Sequence, residues 1–179
     1  MKAIPLIVML LAGTTQGLNV PALTAPTRTA PKPTPTEVTA LREGIALYEQ
    51  RKYDEAFAKF DALLKANPDN TSAMYELALV HYARKEYQQA VDRAAQGSEY
   101  LAEPPALAQY YGLIGNTLDA AREPKKAVEI FARGIEVAPV ASLYYNMAVT
   151  QAQSLSDVPA AKTSLKAGAR LEPAHAGTH

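Results

Sequence analysis

The chain contains no cysteine and no tryptophan, and only three histidines, in 179 residues. Without cysteine there is no disulfide, no thiol nucleophile and no thiolate metal site, so any fold must be held by packing alone. Charge of one sign is missing as well. The 18 Lys and Arg residues balance 18 Asp and Glu residues, and they are scattered over both halves, so nothing forms the basic patch that a nucleic acid partner requires. The longest apolar run, Ala3 to Ala12, is shorter than the roughly 20 residues that cross a bilayer. Paired carboxylates are lacking too: Glu43, Asp61, Glu76, Asp119 and Glu129 fall on helix faces with no His-Glu or twin-acid spacing. His81 sits in a packing register four residues after Leu77, and His175 and His179 stand in a polar tail with too few ligands for a metal. No catalytic residue, cofactor or metal is expected, and the chain is not read as an enzyme.

What is present is a repeat. Ala56, Ala90, Ala127 and Ala161 are spaced by 34, 37 and 34 residues. Twelve residues before them stand Gly44, Ala78, Gly115 and Val149, and four residues after them Phe60, Ala94, Phe131 and Leu165. Twelve residues beyond the alanine come Pro68, Ala102, Pro139 and Pro173, and a proline there stops a helix. The longer interval contains Pro104 and Pro105, which reads as an insertion in a turn between repeats. A fixed period of this length is the signature of a stacked array.

Each unit holds two helical stripes. Leu41, Gly44, Ile45, Leu47 and Tyr48 recur at spacings of three and four, Arg51-Lys52 interrupts, and Tyr53, Ala56, Phe57, Phe60, Leu63 and Leu64 resume. No strand-like alternation is sustained after residue 37. Small residues at Gly44/Ala56, Ala78/Ala90 and Gly115/Ala127 allow two antiparallel helices to approach closely, so each unit is expected to be a helical hairpin. Ala94 and Gly97 stand where other copies have bulk, which predicts looser packing in the second unit. Arg51-Lys52, Arg84-Lys85 and Lys125-Lys126 are read as turns within the hairpins.

On these residues the chain resembles the tetratricopeptide repeat family, whose 34-residue pattern runs from a small residue through a packing alanine and an aromatic to a closing proline. The match rests on Gly44, Tyr53, Ala56, Phe60 and Pro68; Ala78, Tyr87 and Ala90; Gly115, Ala127, Phe131 and Pro139; and Ala161, Leu165 and Pro173. The resemblance implies an all-α, right-handed superhelical solenoid of about four antiparallel hairpins, eight helices and no strands. Its repeats run over about 37–70, 71–107, 108–141 and 142–175. It also implies a protein or peptide partner held in a concave groove lined by the first helix of each hairpin. That places Leu41, Ile45, Tyr48, Tyr75, Leu79, Tyr82, Gly112, Asn116, Asp119, Asn146, Thr150 and Gln153 in the groove, apolar and aromatic at one end and amide-bearing at the other. The alternative for Tyr75 and Tyr82 is packing between units. The family's carboxylate clamp for chaperone tails needs cations and asparagines where this chain has Leu41, Ile45, Glu76, Gln109 and Leu113, so that branch is excluded.

The ends differ in kind. Met1-Lys2, the apolar run and the small residues to Gly17 have the form of a secretory signal peptide over residues 1–17, which implies export to the periplasm or the cell exterior and an envelope protein as partner. Leu11-Ala12-Gly13 is similar to the start of a lipoprotein cleavage box, but Thr14 stands where the lipid-bearing cysteine would be. Residues 18–36, rich in Pro, Thr and Ala, are expected to be a disordered tether, with Thr36-Glu37 capping the first helix. Residues 176–179 read as a flexible tail. After Pro173 no further polar helix is written, so Tyr144, Tyr145 and Leu165 are expected to form an apolar edge through which copies self-associate.

Overall fold

The computed structural model describes residues 17–23, 28–100 and 104–171. The leader-like residues 1–16 and the tail after residue 171 lie outside the described residues. Among the described residues there are eight helices and no strand: α1 (Pro35–Glu49), α2 (Tyr53–Ala66), α3 (Thr71–Ala83), α4 (Tyr87–Ser98), α5 (Pro104–Ala120), α6 (Pro124–Val137), α7 (Ala141–Gln153) and α8 (Val158–Ala169). Consecutive helices pack against one another, and the first helices also touch, α1 on α3, α3 on α5 and α5 on α7. The chain is thus a solenoid of four hairpins with odd-numbered helices along one face.

Each hairpin is closed by a helix C-terminus that turns back through a left-handed residue. Arg51, Lys85, Arg122 and Ser156 have φ of 60°, 61°, 66° and 57°, in the same frame as the packing alanines. In the first and third hairpins the amide after it reaches back along the helix, from Lys52 to the Leu47 carbonyl at 2.9 Å and from Glu123 to that of Leu118 at 2.8 Å, which satisfies carbonyls the helix end would otherwise orphan. Glycine is the usual residue there, and a side chain in that conformation costs about 1 kcal/mol or more. The basic pairs mark two of these turns as expected. In the third unit the turn is at Arg122, and Lys125 and Lys126 lie in the first turn of α6 instead.

Inside the hairpins a small residue faces a large one. Phe60 and Phe131 are fully buried; their rings lie where a Cβ on Gly44 or Gly115 would stand, 2.5 and 2.3 Å from the nearest ring atom. The second hairpin fills the same place with Ala78 and Ala94, both fully buried. The expectation that α4 packs loosely is corrected by its neighbour. A Cβ on Gly97 would come within 2.3 Å of the Tyr110 ring, because α5 lays that tyrosine against α4, with its hydroxyl donating to the Thr71 carbonyl at 2.6 Å. Gly134 and Gly168, at the equivalent positions of α6 and α8, admit Tyr111 and Tyr144 in the same way. For Gly97 the missing bulk comes from the next repeat, and for Gly134 and Gly168 from the first helix of their own hairpin.

Two expectations about proline are also corrected. Pro104 and Pro105 open α5 rather than lying in a loop, since the amides they lack would be unpaired in a first helical turn anyway. For the same reason Pro35 starts α1, and its N-cap is Thr34, not Thr36. Glu37 completes a capping box: the Thr34 amide donates to its carboxylate at 2.7 Å, and its own amide donates to Thr34 Oγ1 at 3.2 Å. The other carboxylate oxygen accepts from Asn67 Nδ2 at 2.7 Å and Asn70 Nδ2 at 3.3 Å, which ties α1 to the α2–α3 junction.

The proline-rich tether is also not free along the part described. Leu23 is buried, and Leu18 and Val20 pack on the same core cluster, which includes Val91 and Ile130 of the second helices. The backbone of Leu18 donates to the Glu123 carboxylate and accepts from Lys126 Nζ. Gln88 takes both polar backbone groups of Asn19 at 2.9 and 2.8 Å, and Arg133 donates to the Leu23 carbonyl at 3.0 Å. Burial alone would raise the Glu123 carboxyl, but Lys126 and the Leu18 amide hold it below its ordinary value. Side chains of α4 and α6 thus supply the hydrogen bonds that an extended strand lacks, and Arg28 lays its guanidinium 4.6 Å from the Tyr100 ring centroid.

The hydrogen bond from the Thr34 amide, followed by those from Asn67 and Thr34, lowers the Glu37 carboxyl from its ordinary 4.5 to about 2. A depressed folded-state value means stability that is present above pH 4.5 and lost as pH falls toward 2. In urea titrations the loss of stability between about pH 5 and pH 2 should therefore be smaller for Glu37→Gln than for the unaltered protein. Equal losses would remove Glu37 as the anchor of α1.

Candidate functional site

The first helices face a common groove, and its lining decides what it can hold. One cavity of about 300 Å³ is walled by Tyr48 of α1, Tyr75, Leu79 and Tyr82 of α3, Ala108, Gln109, Gly112, Leu113 and Asn116 of α5, and Ser142, Leu143 and Asn146 of α7. A second of about 240 Å³ continues from it past Tyr75, lined by Leu41, Thr71, Ser72, Glu76, Ala106, Gln109 and Tyr110. All four hairpins contribute because the residues recur one turn apart on equivalent helices. Gly112 forms open floor: a Cβ there would still be 3.6 Å from Leu143.

Of the residues assigned from sequence, Tyr48, Tyr75, Leu79, Tyr82, Gly112, Asn116 and Asn146 surround the larger cavity, and Leu41 lines the smaller. Four fall elsewhere. Ile45 packs, partly buried, against the core cluster of Phe60, Leu64 and Met74 in the first two hairpins. Thr150 is buried at 2% exposure, and its hydroxyl donates to Asp119 Oδ2 at 3.0 Å, so this pair joins α5 to α7 beneath the groove rather than facing it. Gln153 is exposed at the end of α7, outside both cavities. Gln109, Leu113, Ser142 and Leu143 are groove residues that sequence reasoning misses; the first two stand out there only as positions that break a carboxylate clamp.

Aromatic contacts set the shape of the wall. Tyr75 meets Tyr110 edge to face at 5.3 Å, and Tyr48 and Tyr82 lean on Tyr53 and Tyr87 of the second helices at 5.5 and 6.3 Å. Tyr75 and Tyr82 are half-buried, so they both pack between units and present a face to the groove. Burial raises the Tyr48, Tyr75 and Tyr110 phenols, and the Glu76 charge adds to this in each. All three stay neutral hydroxyls at physiological pH. Glu76 itself is raised by burial. Away from the groove, His81 is buried in the core with Nδ1 2.6 Å from Glu86 Oε2 and its ring edge-on to Phe57. Among the described residues no three His, Asp or Glu side chains gather as metal ligands, and no helix is long and apolar enough to cross a membrane.

A model of the tetratricopeptide repeat family matches residues 41–110, from α1 into α5. The fold is shared over a greater length. A thermophilic TPR protein of Thermus thermophilus is similar with a TM-score of 0.63 at 24% identity, over 76% of this chain and 74% of that one. MamA of Desulfovibrio magneticus has a TM-score of 0.62 at 22% identity, over 79% and 78% of the two chains. No curated protein matches the sequence. The chain shares the fold of tetratricopeptide repeat proteins, the family model matching residues 41–110, and its eight described helices form four hairpins. That architecture is typically an interaction scaffold, not a catalyst.

Proposed function

We propose that this protein is an exported scaffold that binds an extended or helical segment of an envelope protein in its concave groove. The carrying observation is the lining of the larger cavity. Tyr48, Tyr75 and Tyr82 from two repeats face Asn116 and Asn146 from the next two across one continuous space. Tyrosine offers wide contact area at low entropic cost, and asparagine amides donate to and accept from a peptide backbone at once. Export is read from the leader-like residues 1–17 alone, and fractionation of cells tests it directly.

A photo-crosslinking residue in place of exposed Gln109, on the groove wall, should trap the partner in the native envelope. Changing Tyr75→Ala together with Tyr82→Ala should leave the helical circular dichroism spectrum intact and abolish that adduct, because buried aromatic anchors typically contribute about 2 kcal/mol or more each. An undiminished adduct from the double variant would sink the groove assignment.

A second reading has its own observation. Of the five large apolar side chains exposed among the described residues, four, Tyr145, Val158, Leu165 and Leu171, belong to the last hairpin or its exit, with Tyr145 at 60% and Leu165 at 46%, and the fifth, Val137, ends α6. A face of this kind suits self-association through the fourth repeat. Sedimentation velocity should then show an oligomer that Leu165→Glu converts to monomer; a monomer at every concentration for both proteins would rule this out.

A further inference from the structure

Glu76 differs from the other half-buried acids among the described residues, which each have a hydrogen-bond donor or a cation beside them. It lies on α3 within the groove, half-buried, between Tyr75 and the wall of the smaller cavity. Glu37, Glu43, Asp61, Glu86 and Glu123 each have a cation or hydrogen-bond donor. Among the described residues Glu76 accepts no hydrogen bond and makes no ion pair. No Lys, Arg or His lines either groove cavity. Withdrawing a carboxylate from water without a partner is costly, and burial raises its pKa accordingly.

Two aromatic residues, Tyr75 and Tyr110, line the smaller cavity with this carboxylate. Tyr75 forms part of both cavities, Tyr110 stands edge to face with it at 5.3 Å, and Tyr48 and Tyr82 complete the wall on the far side. Because Tyr75 borders the larger cavity as well, the smaller one opens into the main groove. The π-face of tyrosine attracts a cation, and a half-buried carboxylate gives it a hydrogen-bonding counter-charge. An anionic side chain would meet only repulsion here, and a purely apolar one would leave the carboxylate unpaired.

We propose that the smaller groove cavity is a pocket for a lysine or arginine side chain of the docked segment, with Glu76 as its counter-ion and Tyr75 and Tyr110 as its aromatic walls. This rests on the groove reading above and narrows it: the partner segment carries a basic residue at the position that meets this cavity. The unpaired acid is then the cost of specificity, not a defect in packing.

An immobilised array of blocked octapeptides, each with one central residue fixed in turn as each of the common amino acids and the flanks randomised, separates the two readings. Probed with the full-length protein, spots with central Arg or Lys should bind most strongly. For Glu76→Gln their signal should fall about tenfold, corresponding to loss of a half-buried charge partner, and the preference for basic over neutral centres should vanish. The melting temperature of Glu76→Gln should stay equal or rise, because the amide has no charge to desolvate. Basic preference that persists in Glu76→Gln, or a preference for acidic or apolar centres, would overturn the pocket while leaving the groove standing, provided Tyr75→Ala with Tyr82→Ala still abolishes binding. No binding by any peptide, or binding untouched by the tyrosine changes, would overturn the groove and the pocket with it.

Discussion

Everything in this molecule depends on how closely two helices of one hairpin can approach. In the first three repeats the distance is set by one complementary pair each: Gly44 with Phe60, Ala78 with Ala94, Gly115 with Phe131. Where the first helix has no Cβ the second sends a phenyl ring, and where it has one the second retreats to a methyl. Interiors packed to near-crystalline density leave little other freedom. The fourth hairpin lacks such a pair, having Val149 and an exposed Leu165 at these positions; the first helices lie side by side along the array.

The groove is a consequence of that stacking. Tyr48, Tyr75, Asn116 and Asn146 are distant in sequence but occupy comparable faces of successive first helices. The second helices carry the opposite burden, bulk and small-residue notches, and their outer face holds Gly17 to Leu23. Stability and recognition are thereby assigned to different helices. Glu76 stands apart in the groove as a half-buried carboxylate with no cation beside it among the described residues.

The hairpins are legible in the sequence because their determinants are local and repeated; alanines in a common frame report a contact made within one unit. Other features escape a sequence reading because their partners lie far along the chain. Gly97 looks like a weakness until Tyr110 of the next repeat fills it. Thr150 looks like a groove residue because periodicity alone cannot tell the groove from the α5–α7 contact beneath it, where Asp119 waits. The strap at Leu18 to Leu23 looks disordered from composition, since its hydrogen bonds come from residues about a hundred positions away. The turns at Arg51, Lys85, Arg122 and Ser156 carry none of the glycine that usually announces them, so the charged pairs are only a partial guide. Glu76 is visible in the sequence, but only as a mismatch to another binding mode.

The central claim is that paired volumes across the first three hairpins fix the geometry of the array. The third hairpin tests it, because changing Gly115→Ala and Phe131→Ala together converts its pair into the one the second hairpin already uses. Gly115→Ala alone should cost about 1–3 kcal/mol from overpacking, and Phe131→Ala alone about 3–5 kcal/mol from the cavity. Measured by urea denaturation, the double variant should lose at least about 1 kcal/mol less than the sum of the single losses, the size expected of directly coupled neighbours. Simple additivity would contradict the account.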